Sequence, residues 1–198
     1  MLRTRTIRSA TICATLALVG AALGTVAVPA AATTTRAATP QSTACPTGWG
    51  SLPETGTPAT ATPVRDIRTG RHACYDRMVV DVPGAGNVGY SVRYVDRLHQ
   101  DGSGRPVPVT GGAVLEVRIN APAYDPATGR ATYPAQAGRA LPGVDLTGYR
   151  TFRDARFAGS FEGDTQVGLG VRARLPFRVL QLPDRVVIDV AHNWTGAP

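Results

Sequence analysis

The clearest pattern along this chain is alternation. From Gln166 to Leu175 the apolar residues Val167, Leu169, Val171, Ala173 and Leu175 take every second position. Gln166, Gly168, Gly170, Arg172 and Arg174 fill the places between. A period of two sends the first set to one side of a β-strand and the second set to the other. The expected element is a half-buried antiparallel strand over Thr165–Leu175, with an open, cationic outer face that carries both arginines. The same rhythm recurs at Arg77–Val82, Gly89–Val95, Ala113–Ile119, Tyr149–Phe157, Phe177–Leu182 and Arg185–Ala191, with shorter runs at Val64–Arg68 and Pro106–Val109.

Turn formers punctuate these runs at PGAGN, at Asp101–Gly104 and at Leu182-Pro183-Asp184. No segment sustains helical periodicity between proper caps. The fold class is therefore all-β, a single-domain antiparallel sandwich or closed barrel of about eight or nine short strands. Thr55–Pro63 reads as a flexible stretch. Ala121–Gly148, proline-rich and long for a structureless loop, reads as a functional flap or a partly disordered insertion. Phe161, Glu162 and Gly163 look like a turn whose aromatic ring plugs the core.

The N-terminus supplies an address. Arg3, Arg5 and Arg8 precede an apolar run from Ala10 to Val28, and Ala30-Ala31-Ala32 provides a small-residue cleavage site. Residues 1–32 read as a secretory signal peptide. The rival reading is an uncleaved anchor, against which Thr11, Gly20, Gly24 and Thr25 interrupt the run. Behind the leader, Thr33–Thr43 has the composition of a disordered linker. Cleavage leaves Cys45 and Cys74, an even count in an exported chain, so one disulfide is expected.

Charge excludes one class of partner. The chain carries 21 basic and 14 acidic residues, and every cation is arginine. Three arginines leave with the leader, so the exported chain has 18 − 14 = +4. That excess is spread out, with no basic run, so no nucleic-acid partner is expected. Nor is a membrane contact expected after signal cleavage.

The candidate site follows from the arginines. Arg172 and Arg174 share one strand face, Arg178 follows the Pro176 break, and Glu162 and Asp164 sit across the turn. Together they would form a shallow groove in which guanidinium groups grip carboxylates or phosphates bidentately. Gly168 and Gly170 would let a flat glycan or another backbone approach closely. The alternative is a solvated face with cross-strand ion pairs of little energetic weight. Asp189, inside an apolar run, must face solvent or be paired, and a structural ion pair of Arg77 with Asp189 is expected.

Enzyme chemistry finds little footing. Glu162 and Asp164 could supply the two carboxylates of a glycosidase, but any acidic loop would offer as much. His72, His99 and His192 lack metal-ligand spacing, and no G-x-S-x-G, phosphate-loop or dinucleotide motif occurs. The expectation is a non-catalytic protein with no metal and no cofactor.

Five segments taken in order, His72–Val82, Gly89–Val95, Asp101–Gly104, Phe161–Arg172 and Phe177–Val190, resemble the AMIN-like domain of secreted proteins from high-GC Gram-positive bacteria. The resemblance runs from Trp49 to Trp194. It implies a β-sandwich of AMIN-like type at 63–194, preceded by a segment 33–62 tied on through Cys45 and followed by a short tail, 195–198. It also implies a secreted, envelope-associated binding or targeting role. The partners so implied are peptidoglycan or another anionic cell-wall polymer, or an exported protein, with a wall-glycan hydrolase as a lesser alternative.

Overall fold

The computed structural model describes residues 44–194. The expected leader, the linker residues 33–43 and the tail 195–198 lie outside the described residues. Among the described residues there are eleven strands and no helix: β1 (Glu54–Gly56), β2 (Asp66–Arg71), β3 (Tyr75–Asp81), β4 (Tyr90–Val95), β5 (Leu98–His99), β6 (Pro106–Val107), β7 (Ala113–Ile119), β8 (Phe152–Phe161), β9 (Asp164–Val171), β10 (Phe177–Leu182) and β11 (Arg185–Ala191).

These strands build an antiparallel sandwich rather than a closed barrel. One sheet has the order β1-β4-β7-β9-β8 and the other β10-β11-β3-β2. Alternation decides what lies between them. Leu115, Val117 and Ile119 on β7 pair with Leu169, Val167 and Thr165 on β9, and Val92 on β4 continues the row. Against that layer the second sheet turns Ile67, Met78, Val80, Val186, Ile188 and Val190, all buried in the same core. Phe152 and Phe177 are the largest side chains buried there and are almost wholly inaccessible.

The structure corrects several expectations. β9 ends at Val171, where its pairing with Ala113 on β7 and Phe152 on β8 runs out. The alternation continues past that point, but Arg172 and Arg174 lie in the bend that follows. The supposedly flexible stretch at Thr55 begins inside β1, which pairs with β4, and Thr60 and Val64 donate backbone hydrogen bonds to Asn120 and Pro122. The folded unit therefore begins well before residue 63.

Ala121–Gly148 is neither a flap nor disordered. Tyr124 bridges to Ala131 and Ala140 to Arg156. The Phe157 N–H donates to Arg139 O at 2.9 Å and the Leu141 N–H to Ala155 O at 3.0 Å, so this segment covers the free edge of β8. It also buries Ala121, Ala123, Tyr133 and Leu141 in the core. Phe161 does not plug the core: it is 48% exposed. Glu162 and Gly163 do make the turn, with φ of 50° and 88°.

The outer face of the five-stranded sheet is also closed. β5 and β6 pair with each other and lie over it, where Leu98, Val107 and Ala158 form a small second core with Val109 and Val114. Among the described residues no helix is long and apolar enough to cross a membrane.

Candidate functional site

The five residues expected to share a groove are dispersed. Arg172 donates from Nη2 to His192 O and, at 3.4 Å, to Asn193 Oδ1. Arg174 donates to Ser51 O at 3.1 Å and lies over the Tyr94 ring, 5.0 Å from its centroid. Arg178 sits on β10, in the other sheet. Glu162 and Asp164 occupy the opposite end of β9 from Arg172, roughly 25 Å away along an eight-residue strand. Asp164 accepts from Asn120 Nδ2 at 3.0 Å and lies 3.7 Å from Arg118. No groove unites them.

The two glycines explain why that face is unavailable. A Cβ at Gly168 would crowd Leu98 and come within 2.8 Å of Val109 Cγ2, and one at Gly170 would overlap the Thr110 carbonyl. The close approach these glycines permit is that of the protein's own covering hairpin and loop. What polar groups remain there are spent on one another. Glu116, 6% exposed, accepts from Arg93 Nε at 2.8 Å and from Gln166 Nε2 at 2.7 Å. Arg118 pairs with Asp101 at 2.6 Å.

A different constellation forms on the outer face of the four-stranded sheet. Register places Asp189 of β11 directly between Arg178 of β10 and Arg77 of β3. Asp189 is completely buried and receives both arginines: Arg77 Nε at 2.6 Å and Nη2 at 2.8 Å, Arg178 Nε and Nη2 at 3.0 Å. The expected Arg77–Asp189 pair is thus one half of a three-residue cluster. A buried carboxylate with one cation would be neutral; with two, the cluster carries a net positive charge. The hydrogen bond that Arg77 donates to Asp189 outweighs the cost of partial burial and raises the Arg77 pKa above its ordinary value.

Aromatic rings hold the two guanidinium groups in place. Arg178 Cζ lies 4.4 Å from the Trp49 centroid and 5.8 Å from that of Tyr75; Arg77 Cζ lies 5.2 Å from the Tyr75 centroid. Trp49 and Tyr75 are 5.5 Å apart, and His72 stacks on Tyr75 at 4.6 Å. The ladder Trp49–Arg178–Tyr75–Arg77 is a rigid cationic platform, since each planar group is packed on the next. Among the described residues Nη1 of Arg77 and of Arg178 has no partner, so each arginine keeps a donor edge for a ligand.

Trp49 comes to this platform through the disulfide. Cys45 and Cys74 are bonded, with Cα atoms 5.4 Å apart, and Cys74 immediately precedes Tyr75. Gly50 then bridges to Phe177, one residue before Arg178. Sequence reasoning missed Trp49, Tyr75 and His72. The Arg178–Asp189 pairing had a signal, because counting outward from the Leu182–Arg185 pair at the tip of the hairpin sets the two opposite each other.

A second buried cluster has catalytic residue types but a structural geometry. Asp76 Oδ2 accepts the N–H groups of Thr151 at 2.6 Å and Phe152 at 3.0 Å. Thr151 Oγ1 lies 2.9 Å from His192 Nδ1, and His192 Nε2 lies 3.0 Å from His72 O. Thr151 is wholly inaccessible and His192 is 3% exposed, so the hydroxyl meets no solvent. The cluster ties the ends of β3 and β11 to the start of β8, across the sandwich. Among the described residues no group of histidine, cysteine, aspartate and glutamate could hold a metal ion.

Comparison with known proteins adds one finding. No curated protein and no solved structure matches this chain. The model of the AMIN-like domain matches residues 62–192, from the approach to β2 to the end of β11, and by that match over well more than half its length the chain belongs to the AMIN-like domain family.

Proposed function

We propose that this protein is an exported, non-catalytic binding module of the cell envelope, from a high-GC Gram-positive bacterium, and that it holds an anionic wall polymer on the Arg77–Arg178 platform. Family membership supports a wall-related binding role, and the Cys45–Cys74 disulfide fits a protein working in an oxidising compartment. The observation that carries the reading is the sharing of one buried carboxylate by two arginines stacked on Trp49 and Tyr75. Such an arrangement is pre-organised, so little side-chain entropy is lost when an anion binds. Flat rings beside guanidinium donors suit a sugar polymer bearing carboxylates or phosphates, with peptidoglycan the leading candidate.

Co-sedimentation of the disulfide-bonded protein with purified insoluble cell wall, across a salt series, tests it. Saturable binding should be lost in a folded Arg178→Gln variant and weakened in Trp49→Ala. An Arg172→Ala/Arg174→Ala variant should keep it. Absence of binding by the wild type at low salt would sink the proposal. One observation favours a second reading: among the described residues β2 is an edge strand with no strand on its outer side, a place where an exported protein could add a strand. Co-purification of one defined protein, lost when β2 is blocked by Thr69→Pro, would support it.

A further inference from the structure

Behind the platform lies a cavity of about 170 Å³, between the disulfide and the end of β11. Its wall is apolar where Trp49, Ala73 and the Cys45–Cys74 bridge line it, and polar where Arg150, His192 and Asn193 do. No carboxylate lines it. His192 is fixed through both ring nitrogens, by Thr151 Oγ1 and His72 O, so it is a rigid wall group with no valence left for a ligand. Asp76 lies behind the imidazole, 4.0 Å from Nε2, with Oδ2 occupied by two main-chain N–H groups.

That leaves the cation at the rim. Arg150 is exposed, and its one donated hydrogen bond among the described residues is long, Nη1 to Ala73 O at 3.4 Å. The contact brings the guanidinium to the rim, beside Ala73, while Nε and Nη2 remain unpartnered among the described residues. Arg172, hydrogen-bonded to His192 O and Asn193, adds a second positive charge on the same side. A small, largely apolar chamber with a guanidinium and a side-chain amide at its mouth is complementary to a small amphipathic anion. That volume leaves room for several water molecules, and so for a small organic group.

We propose that this cavity captures the free C-terminal carboxylate of a peptide ending in a residue with a small side chain. Arg150 takes the carboxylate, the Asn193 amide bonds the last peptide group, and the side chain sits against Ala73 and the disulfide. Trp49 is shared, one wall of the cavity and one rung of the platform. The inference rests on the envelope-binding reading for the source of such a peptide.

The test titrates the disulfide-bonded protein with N-acetyl-alanyl-alanine and, separately, with its C-terminal amide, following the Trp49 indole and Asn193 side-chain NMR signals. The free acid should shift both saturably. The amide, and the acid on Arg150→Gln, should bind about tenfold more weakly or worse, as expected for a lost charge-assisted hydrogen bond. Ala73→Leu should block the peptide by filling the cavity. Arg68→Gln, which touches neither the cavity nor the platform, should leave the peptide titration unchanged. Equal binding of acid and amide, or no saturable shift, overturns the cavity proposal whether or not the protein sediments with wall. Acid-specific binding by a protein that fails to sediment with wall upholds the cavity and removes the wall reading.

Discussion

Gly170 lies directly beneath the carbonyl oxygen of Thr110, so close that any β-carbon at position 170 would overlap it. The Thr110 loop has little freedom to retreat, because Asp154 Oδ2 accepts from its N–H at 3.0 Å and lies 3.1 Å from its hydroxyl. Gly170→Ala should therefore destabilise the domain by about 2 kcal/mol, within the range for overpacking a tight site. Thermal unfolding should show a melting temperature lower by about 5 °C. A midpoint within a degree of wild type would mean that the loop yields, and the covering hairpin is softer than its contacts imply.

Removing the shared carboxylate should cost more than removing one of its partners. Asp189→Asn leaves Arg77 and Arg178 facing each other without a counter-charge, at about 3 kcal/mol for breaking a buried pair. Arg178→Gln leaves Asp189 held by Arg77 through two hydrogen bonds, and should cost less than half as much. Urea unfolding of the two variants gives the comparison directly. Equal losses would show that the three groups do not act as one cluster.

The disulfide closes a separation of 29 residues, which corresponds to about 3.6 kcal/mol of stabilisation in the chain-entropy account. A Cys45→Ser/Cys74→Ser variant should lose about that much stability and also release Trp49 from Arg178. Both sheets should persist, since Gly50 still bridges to Phe177 and β1 to β4. Red-shifted tryptophan emission with unchanged far-ultraviolet circular dichroism is the expected signature. Unshifted emission would place the hold on Trp49 in its packing alone.

Asp154 gives the domain an acid-sensitive element. Burial alone would raise its pKa, but the Thr110 N–H and the Arg156 guanidinium outweigh burial and bring it below the ordinary 3.8. With the folded-state value depressed, the unfolded chain binds the proton more readily. The stabilisation is therefore full above about pH 4 and is lost as pH falls through the folded-state pKa. Stability followed by urea midpoint from about pH 5 to pH 2 should fall less steeply in Asp154→Asn than in wild type. Parallel acid limbs would remove Asp154 as a contributor.

The periodic segments carried most of the fold in their sequence. The alternation at Ala113–Ile119 and the mainly apolar run at Arg185–Ala191, which is buried on both faces, both lie where the pattern sets a strand. What alternation does not carry is where a strand loses its neighbours. Arg172 and Arg174 keep the rhythm of β9 after its partners have ended, and so were read onto a face they never reach. Gly168 and Gly170 signal a close approach without naming what approaches. Leu98–His99 is too short to register as a strand, yet Leu98 is what covers Gly168, while the Thr110 loop covers Gly170. The platform was half legible: Asp189 in an apolar run demanded a partner, and Arg77 is one. Trp49 lies outside every periodic segment, and a covalent bond, not a local pattern, brings it there.

Cys74 is bonded to both ends of the described domain, through sulfur to Cys45 and through its carbonyl to the N–H of His192 at 2.9 Å. Entry and exit thus converge on one residue, and the sandwich hangs from a single point like a bead on a loop. A few residues joining the two ends would close the backbone into a ring that could be reopened at an exposed turn such as Ala127–Gly129, with the pairing of both sheets undisturbed. The same convergence lets the unit be spliced into a surface loop of another protein without prising that host apart.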